Sequence, residues 1–372
     1  MSSRRQRNLS HRDVFGAMLV MLLVATSACS RNTSFASAGS PGATNAAARV
    51  AQFVCPAGVE AGESTGRPAG DRLQIVTTVA PITSIVANLA GERADVHGII
   101  PEGTNSHTYE PKPNVAKLMT TADLVFVNGL KLEDPTREIA ESNLRKGAAV
   151  VELGTQTITT DQYIYDFSFP KGGGKPNPHL WTAPPMAKCY AAIAASAMQR
   201  ADPANASYYA ANYSHYAARV DSLDAAMHQA TATVPAANRK LLTYHDAYAY
   251  FAVHYGYRVI GAVQVSDFEE PTPKEVARLI EQIKAEHVPA IFGSEVFPSS
   301  VLAQIASESG TKYVDALRDD DLPGAPGDAD HSYLGLMRFD FATIVRNLGG
   351  DASLLGTFDT SDVATDSADY PQ

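Results

Sequence analysis

The chain is short of cysteine and tryptophan, with three Cys and one Trp in 372 residues. That argues against a small disulfide scaffold, a class that needs several bridges to replace a hydrophobic core. Basic charge is also short. Lys and Arg number 30 against 40 Asp and Glu, a formal net charge of −10. Four arginines and one aspartate lie within residues 1–28, so the remainder stands at −13. Without a basic stripe to neutralise phosphates the chain is a poor nucleic-acid binder, while a cationic ligand suits its charge. No Gly-rich phosphate loop, Gly-x-Ser-x-Gly elbow or His-Glu-x-x-His pair stands at a strand–helix junction. Nucleotide binding, serine hydrolysis and the commonest zinc-peptidase design all lose support.

Long apolar runs are missing too. The run Phe15–Ala25 is too short to span a bilayer comfortably, follows Arg4, Arg5, Arg7 and Arg12, and ends in Thr26, Ser27, Ala28 and Cys29. This pattern resembles a bacterial lipoprotein signal in which Cys29 becomes the lipidated first residue. Residues 1–29 are therefore expected to be a signal peptide, and the protein to lie outside the cytoplasm, in the periplasm or on the outer face of the cytoplasmic membrane, held by a lipid anchor. Residues 30–71 are mostly Ala, Ser, Gly, Thr, Pro and Asn without periodicity, and read as a disordered tether. Cys55 and Cys189 could pair in an oxidising compartment, but the plainer reading leaves Cys55 loose and Cys189 buried in a helix.

What the remainder has is strand–helix alternation, interrupted once. Residues 72–185 give four apolar strands separated by helices, and residues 235–348 repeat the plan. Between them, residues 186–234 read as connecting helices. The longer one, from Asp202 to about Val234, carries its apolar face at Tyr209, Tyr213, Tyr216, Val220, Leu223 and Met227, steps of four and three. The expected fold is α/β: two (β/α)4 lobes with parallel sheets joined by a long rigid spanning helix. Residues 154–180 read as a loop and residues 349–372 as a flexible acidic tail.

Three histidines and one aspartate stand just beyond a strand or in a loop at the same end of their lobes. His107, His179, His245 and Asp315 are spaced by 72, 66 and 70 residues, two before the spanning helix and two after it. Open α/β sheets place ligands at the carboxyl ends of their strands, so the four could meet between the lobes. Three neutral imidazoles and a carboxylate match the donor preferences of a divalent transition metal. The remaining candidates read as structural: His97 in a strand, His215, His228 and His254 on helices, His287 at a helix end and His331 in a solvated loop.

The motifs around these residues make the chain resemble the solute-binding receptors of bacterial ABC importers for zinc and manganese. His107–Pro111 reads His-Thr-Tyr-Glu-Pro, Asn177–Trp181 reads Asn-Pro-His-Leu-Trp, and His245–Phe251 reads His-Asp-Ala-Tyr-Ala-Tyr-Phe. Asp315 is followed by Tyr-Leu-Gly-Leu-Met-Arg at Tyr333–Arg338, and Asn128, Gly129, Leu132 and Glu133 match a structural motif of the first lobe. The resemblance covers residues 72–348. It implies a metal bound by His107, His179, His245 and Asp315. From their own places in the sequence, Tyr109, Glu110, Trp181 and Asp246 beside the ligands and Glu269 and Glu270 in the loop before Pro271 and Pro273 are expected to stand behind them. The resemblance also implies a monomeric receptor that passes its cargo to a transmembrane permease, with no catalysis. The histidine at 245 points to Zn2+ over Mn2+, with manganese or iron as the alternative cargo. Two departures stand out: Pro135 replaces a common aromatic, and the stretch Tyr163–Pro178 has no histidine where many zinc receptors carry a His-rich loop. The competing functions are a metal-dependent hydrolase with Asp315 as base, and a surface adhesin.

Overall fold

The computed structural model describes residues 41–56, 71–264, 270–294 and 299–371. The expected signal peptide with Cys29, much of the tether, and Glu269 lie outside the described residues. Helix α1 (Pro41–Val50) precedes the first lobe, which runs β1 (Leu73–Thr77), α2 (Ala80–Ala90), β2 (Ala94–Gly98), α3 (Pro113–Met119), β3 (Leu124–Val127), α4 (Asp134–Asn143), β4 (Ala149–Glu152) and α5 (Leu153–Thr157). Helices α6 (Pro184–Ala201) and α7 (Ala206–Thr233) lead to the second lobe. That lobe runs β5 (Lys240–Thr243), α8 (Ala249–Tyr255), β6 (Arg258–Ala262), α9 (Pro273–Glu286), β7 (Ala290–Ser294), α10 (Ser300–Ser309), β8 (Lys312–Leu317), α11 (Tyr333–Asn347) and α12 (Ser353–Gly356).

Both sheets are parallel, ordered β2-β1-β3-β4 and β6-β5-β7-β8. Burial explains the apolar strands. Every residue of β3 is buried, which a strand achieves only when helices cover both faces of its sheet. Local signals set the helix ends. Thr272 and Glu275 form a reciprocal capping box with Pro273 at the first helical position of α9. Gly256 and Gly310 close α8 and α10 in the left-handed region, at φ 72° and 73°, where a side chain would be strained.

The spanning helix is α7, whose 28 residues extend about 42 Å. Tyr209, Tyr216, Val220, Leu223 and Met227 of its expected face are buried, and Tyr213 is half-buried. Asp202 does not cap it, because a 3-10 turn at Pro203–Asn205 intervenes. The Asp202 carboxylate instead accepts hydrogen bonds from the Tyr209 hydroxyl (2.8 Å) and Asn205 Nδ2 (2.7 Å). Helix α7 packs against α2 of the first lobe and against α8 and α11 of the second. One hydrophobic core follows the same path, from Ile75 and Phe126 through Tyr216 and Leu223 to Phe251 and Phe292. A second, smaller core lies within the second lobe, among Leu242, Ile260, Ile283, Ile291 and Leu302.

Two segments are better ordered than their composition suggests. Within the expected tether, residues 41–56 form α1 and an arm that packs on the domain, and Arg49 pairs with Asp161. Cys55 is not loose: it is bonded to Cys189, with Cα atoms 5.4 Å apart. The acidic tail is docked as well. Asp369 bridges His97 beside β2, and Arg219 on α7 bonds the Asp359 and Ser361 carbonyls. His331, expected in solvated surface, is buried against Tyr370, their ring centroids 4.8 Å apart. Backbone pairing with a sheet edge holds the tail where its side chains alone would not.

The Cys55–Cys189 bond closes a loop across 134 positions, which constrains the unfolded chain. Cys55→Ser is expected to lower stability by about 2–4 kcal/mol in chemical unfolding under oxidising conditions. Identical unfolding midpoints with and without reductant in the parent protein would contradict that pairing.

Candidate metal centre

His107 lies in the loop after β2, His179 just before the 3-10 turn Leu180–Thr182, and His245 directly after β5. Topology brings the three together at the carboxyl ends of the strands. His107 Nε2 is 3.1 Å from His179 Nε2 and 3.3 Å from His245 Nε2, and the last two are 2.9 Å apart. Donors bound at about 2.0 Å around a tetrahedral zinc stand about 3.3 Å from one another, so this triangle is close to one face of such a shell.

Hydrogen bonds at the far side of two rings decide what the near side presents. His179 Nδ1 lies 2.9 Å from Asn177 Oδ1, whose Nδ2 is committed to Asp166 Oδ2 (3.0 Å) and the Asp246 carbonyl (2.7 Å). Since an amide oxygen only accepts, Nδ1 carries the proton and the His179 Nε2 lone pair faces the other imidazoles. Gln264 Oε1, 3.2 Å from His245 Nδ1, acts likewise on His245. Two lone pairs therefore point at the same place, an arrangement imidazoles adopt toward a cation and avoid without one. Burial, reinforced by the charges of its neighbours, holds His107 and His179 well below the ordinary imidazole value. Burial pushes His245 down to about 4, so all three are neutral at pH 7.

The His179 loop rests on a tight turn. Leu130 and Lys131 adopt positive φ of 54° and 65°, a strained conformation for side-chain-bearing residues. The Glu133 carboxylate holds that turn, accepting from Thr78 Oγ1 and from the backbone N–H of Asn128 and Gly129. Asn128 in turn donates to the Pro178 carbonyl (3.0 Å), one residue before His179. This gives the Asn128–Glu133 motif a mechanical reason.

The stretch Tyr163–Pro178, without histidine, covers the imidazoles instead of ligating. Phe169 is buried with its ring centroid 5.6 Å from those of both His107 and His179. Ser168 ties the loop to the second lobe, donating its N–H to Asp246 Oδ2 (3.0 Å) and its hydroxyl to the Gln264 carbonyl. Asp246 itself is buried, and with Asp166 nearby both carboxyls are raised, chiefly by burial.

Asp315 is not placed with the histidines. Strand β8 continues past it to Leu317, so Asp315 sits inside the strand in register with Gly293, exposed and lying beside Tyr313. The carboxylates at the strand's carboxyl end are Asp319 and Asp320, both buried. Asp320 Oδ2 accepts from the hydroxyl of Ser106, the residue before His107, at 2.6 Å. Its Oδ1 has no hydrogen-bond partner, and burial raises the group to about 7 against the pull of Ser106. Asp319 has a positive φ of 52° and accepts Trp181 Nε1 on its carbonyl (3.1 Å).

Of the supporting residues expected, Trp181 is buried with its ring 5.1 Å from that of His179, and Tyr109 donates to the Ile99 carbonyl (2.8 Å). Glu270 accepts from the hydroxyl of Tyr244, next to His245, at 2.8 Å, whereas Glu110 is exposed. Gln264, Phe169, Ser106 and Asp320 were not singled out by sequence. Gln264 could have been, since it stands just beyond β6 at the end of the sheet where the ligands gather.

A solved structure with this fold is the periplasmic zinc-binding protein TroA of Treponema pallidum, which aligns with a TM-score of 0.68 over 75% of this chain and 99% of its own, at 24% identity. Among relatives by sequence, the iron-binding protein YfeA of Yersinia pestis is 29% identical over 278 residues, 75% of this chain and 87% of that protein. The manganese ABC transporter substrate-binding lipoprotein PsaA of Streptococcus pneumoniae is 26% identical over 287 residues, 77% of this chain and 92% of that protein. The family model described as zinc-uptake complex component A, periplasmic, matches residues 75–347, and the chain belongs to that family.

Proposed function

We propose that this protein binds one divalent transition-metal cation at His107, His179 and His245 and delivers it to the permease of an ABC importer, with zinc as the preferred cargo. The convergence of three imidazole nitrogens, two with their lone pairs fixed inward, carries the reading. Its relatives are metal-binding receptors and not enzymes, and their names include zinc, iron and manganese. The choice of zinc rests on the donor set, because nitrogen-rich sites of low coordination suit zinc and manganese prefers oxygen. The name of PsaA as a lipoprotein supports a lipid anchor at Cys29 and an extracytoplasmic place. For the fourth donor we favour the buried pair Asp319 and Asp320, where both carboxylate oxygens of Asp319 and Oδ1 of Asp320 lack a hydrogen-bond partner, and where the two residues are tied to Trp181 and Ser106 beside His179 and His107. The adhesin alternative gains nothing from the described surface, where the exposed large apolar side chains are Val54, Phe167 and Leu354.

Competitive titration of the metal-free protein under buffered free zinc and manganese tests this. Wild type is expected to prefer zinc, His245→Ala to lose at least about 100-fold in zinc affinity, and one of Asp319→Ala and Asp320→Ala about 10-fold or more, with Asp315→Ala unchanged. Tighter manganese than zinc binding would defeat the choice of cargo, and loss in Asp315→Ala with none in Asp319→Ala or Asp320→Ala would return the fourth position to Asp315.

Proton competition gives a second check. With the imidazoles held below their ordinary value, and His245 at about 4, protons compete for the nitrogens only in strong acid. Zinc is expected to survive dialysis at about pH 6 and to leave as the pH falls to about 4 or below. Release centred near the unperturbed imidazole value of about 6.5 would contradict it.

A further inference from the structure

A second group of metal-type donors lies away from the three imidazoles, where α8 packs on the spanning helix. Asp224 and His228 are four residues apart on α7 and so share a face, and His254 reaches them from the last turn of α8. One donor atom from each residue lies within 4.8 Å of the others. His254 Nε2 is 2.7 Å from Asp224 Oδ1, and His228 Nε2 is 3.9 Å from the same oxygen. The two imidazole rings meet edge to face, centroids 4.9 Å apart, over Tyr255.

A helix-to-helix hydrogen bond would explain Asp224 and His254 alone. It leaves His228 unexplained, because 3.9 Å is too long for a hydrogen bond. We infer that Asp224, His228 and His254 form a second binding site for a borderline divalent cation of the zinc, nickel or copper class. Two nitrogens and one carboxylate oxygen suit those ions, and calcium or magnesium would want more oxygens. Donors bound around a tetrahedral zinc stand about 3.3 Å apart, against separations here of up to 4.8 Å, so binding would draw the three side chains together. Three protein donors leave a fourth coordination position, and the half-exposed His228 puts that position at the surface, open to water.

Protonation supports the geometry. Burial, together with His254, holds His228 below the ordinary imidazole value over the opposing pull of Asp224. Asp224 stays below the ordinary carboxylate range because hydrogen bonds from His254 and Tyr255 outweigh its burial. A neutral imidazole and an ionised carboxylate are the forms that ligate. The proton that His254 Nε2 donates to Asp224 would be displaced by the metal, the imidazole then carrying its hydrogen on Nδ1. A cation here would also clamp the end of α8, whose other end follows His245, to the spanning helix.

The site is independent of the proposed transport centre, and one experiment separates the two. Zinc stoichiometry would be measured on the oxidised full chain by equilibrium dialysis against buffered free zinc, for wild type, His228→Ala, and the double variant His107→Ala/His245→Ala. His228 is half-exposed and its change leaves the Asp224–His254 hydrogen bond in place, so folding is retained. Wild type is expected to bind two equivalents, His228→Ala to lose the weaker one, and the double variant to lose the tighter one while its melting temperature still rises with added zinc. A wild type that saturates at one equivalent lost in the double variant would overturn the second site alone. A second equivalent that persists in His228→Ala would overturn it too, by placing that ion elsewhere.

Discussion

Three uncharged imidazoles held nitrogen to nitrogen in a buried pocket are the constraint on which the rest of this structure turns. Without a cation the inward lone pairs of His179 and His245 repel, and burial removes the water that would otherwise relieve them. The surrounding structure is what keeps them there. Asn177 and Gln264 fix two tautomers, the Asn128–Glu133 turn sets the His179 loop, and Phe169 closes over the rings. A site so prepared spends little ordering energy on binding, at the cost of strain at Leu130, Lys131 and Asp319.

The lobes that carry these residues are not independent bodies hinged by flexible strands. Helix α7 is unbroken from Ala206 to Thr233, and the main core passes through it from one sheet to the other. Separating the lobes widely would expose that core, so the segments free to respond to a ligand are the loops at the strand ends. The Ser168 contacts with Asp246 and Gln264 tie the covering loop of the first lobe to the ligand strand of the second. A loop without histidine thus has a positional role instead of a ligating one.

The eight strands of the described residues and the spanning helix could be read from the sequence, because apolar strands alternate with helices whose ends carry Pro, Gly or capping signals. His107, His179 and His245 were legible for a related reason: each follows a strand or sits in a motif with Pro and aromatic neighbours. Asp315 shows the limit of that reading. It looked like a strand end, but β8 runs two residues further, and the buried acids lie in the run Asp319–Asp320. What remained invisible depends on tertiary contact. Ala- and Ser-rich composition hid the arm fastened by Cys55–Cys189, and an acidic tail gave no sign that its backbone would pair beside β2. His228 and His254, each ordinary on its own helix, acquire meaning only where α7 and α8 meet.

The central claim is that the three imidazoles act together as first donors to the cargo. Zinc X-ray absorption on protein loaded with a single equivalent reports this directly, as the number of imidazole rings around the ion. The account predicts three imidazole nitrogens and one oxygen at about 2.0 Å in a four-coordinate shell. A shell with one imidazole or none, or a six-coordinate shell dominated by oxygen, would contradict it.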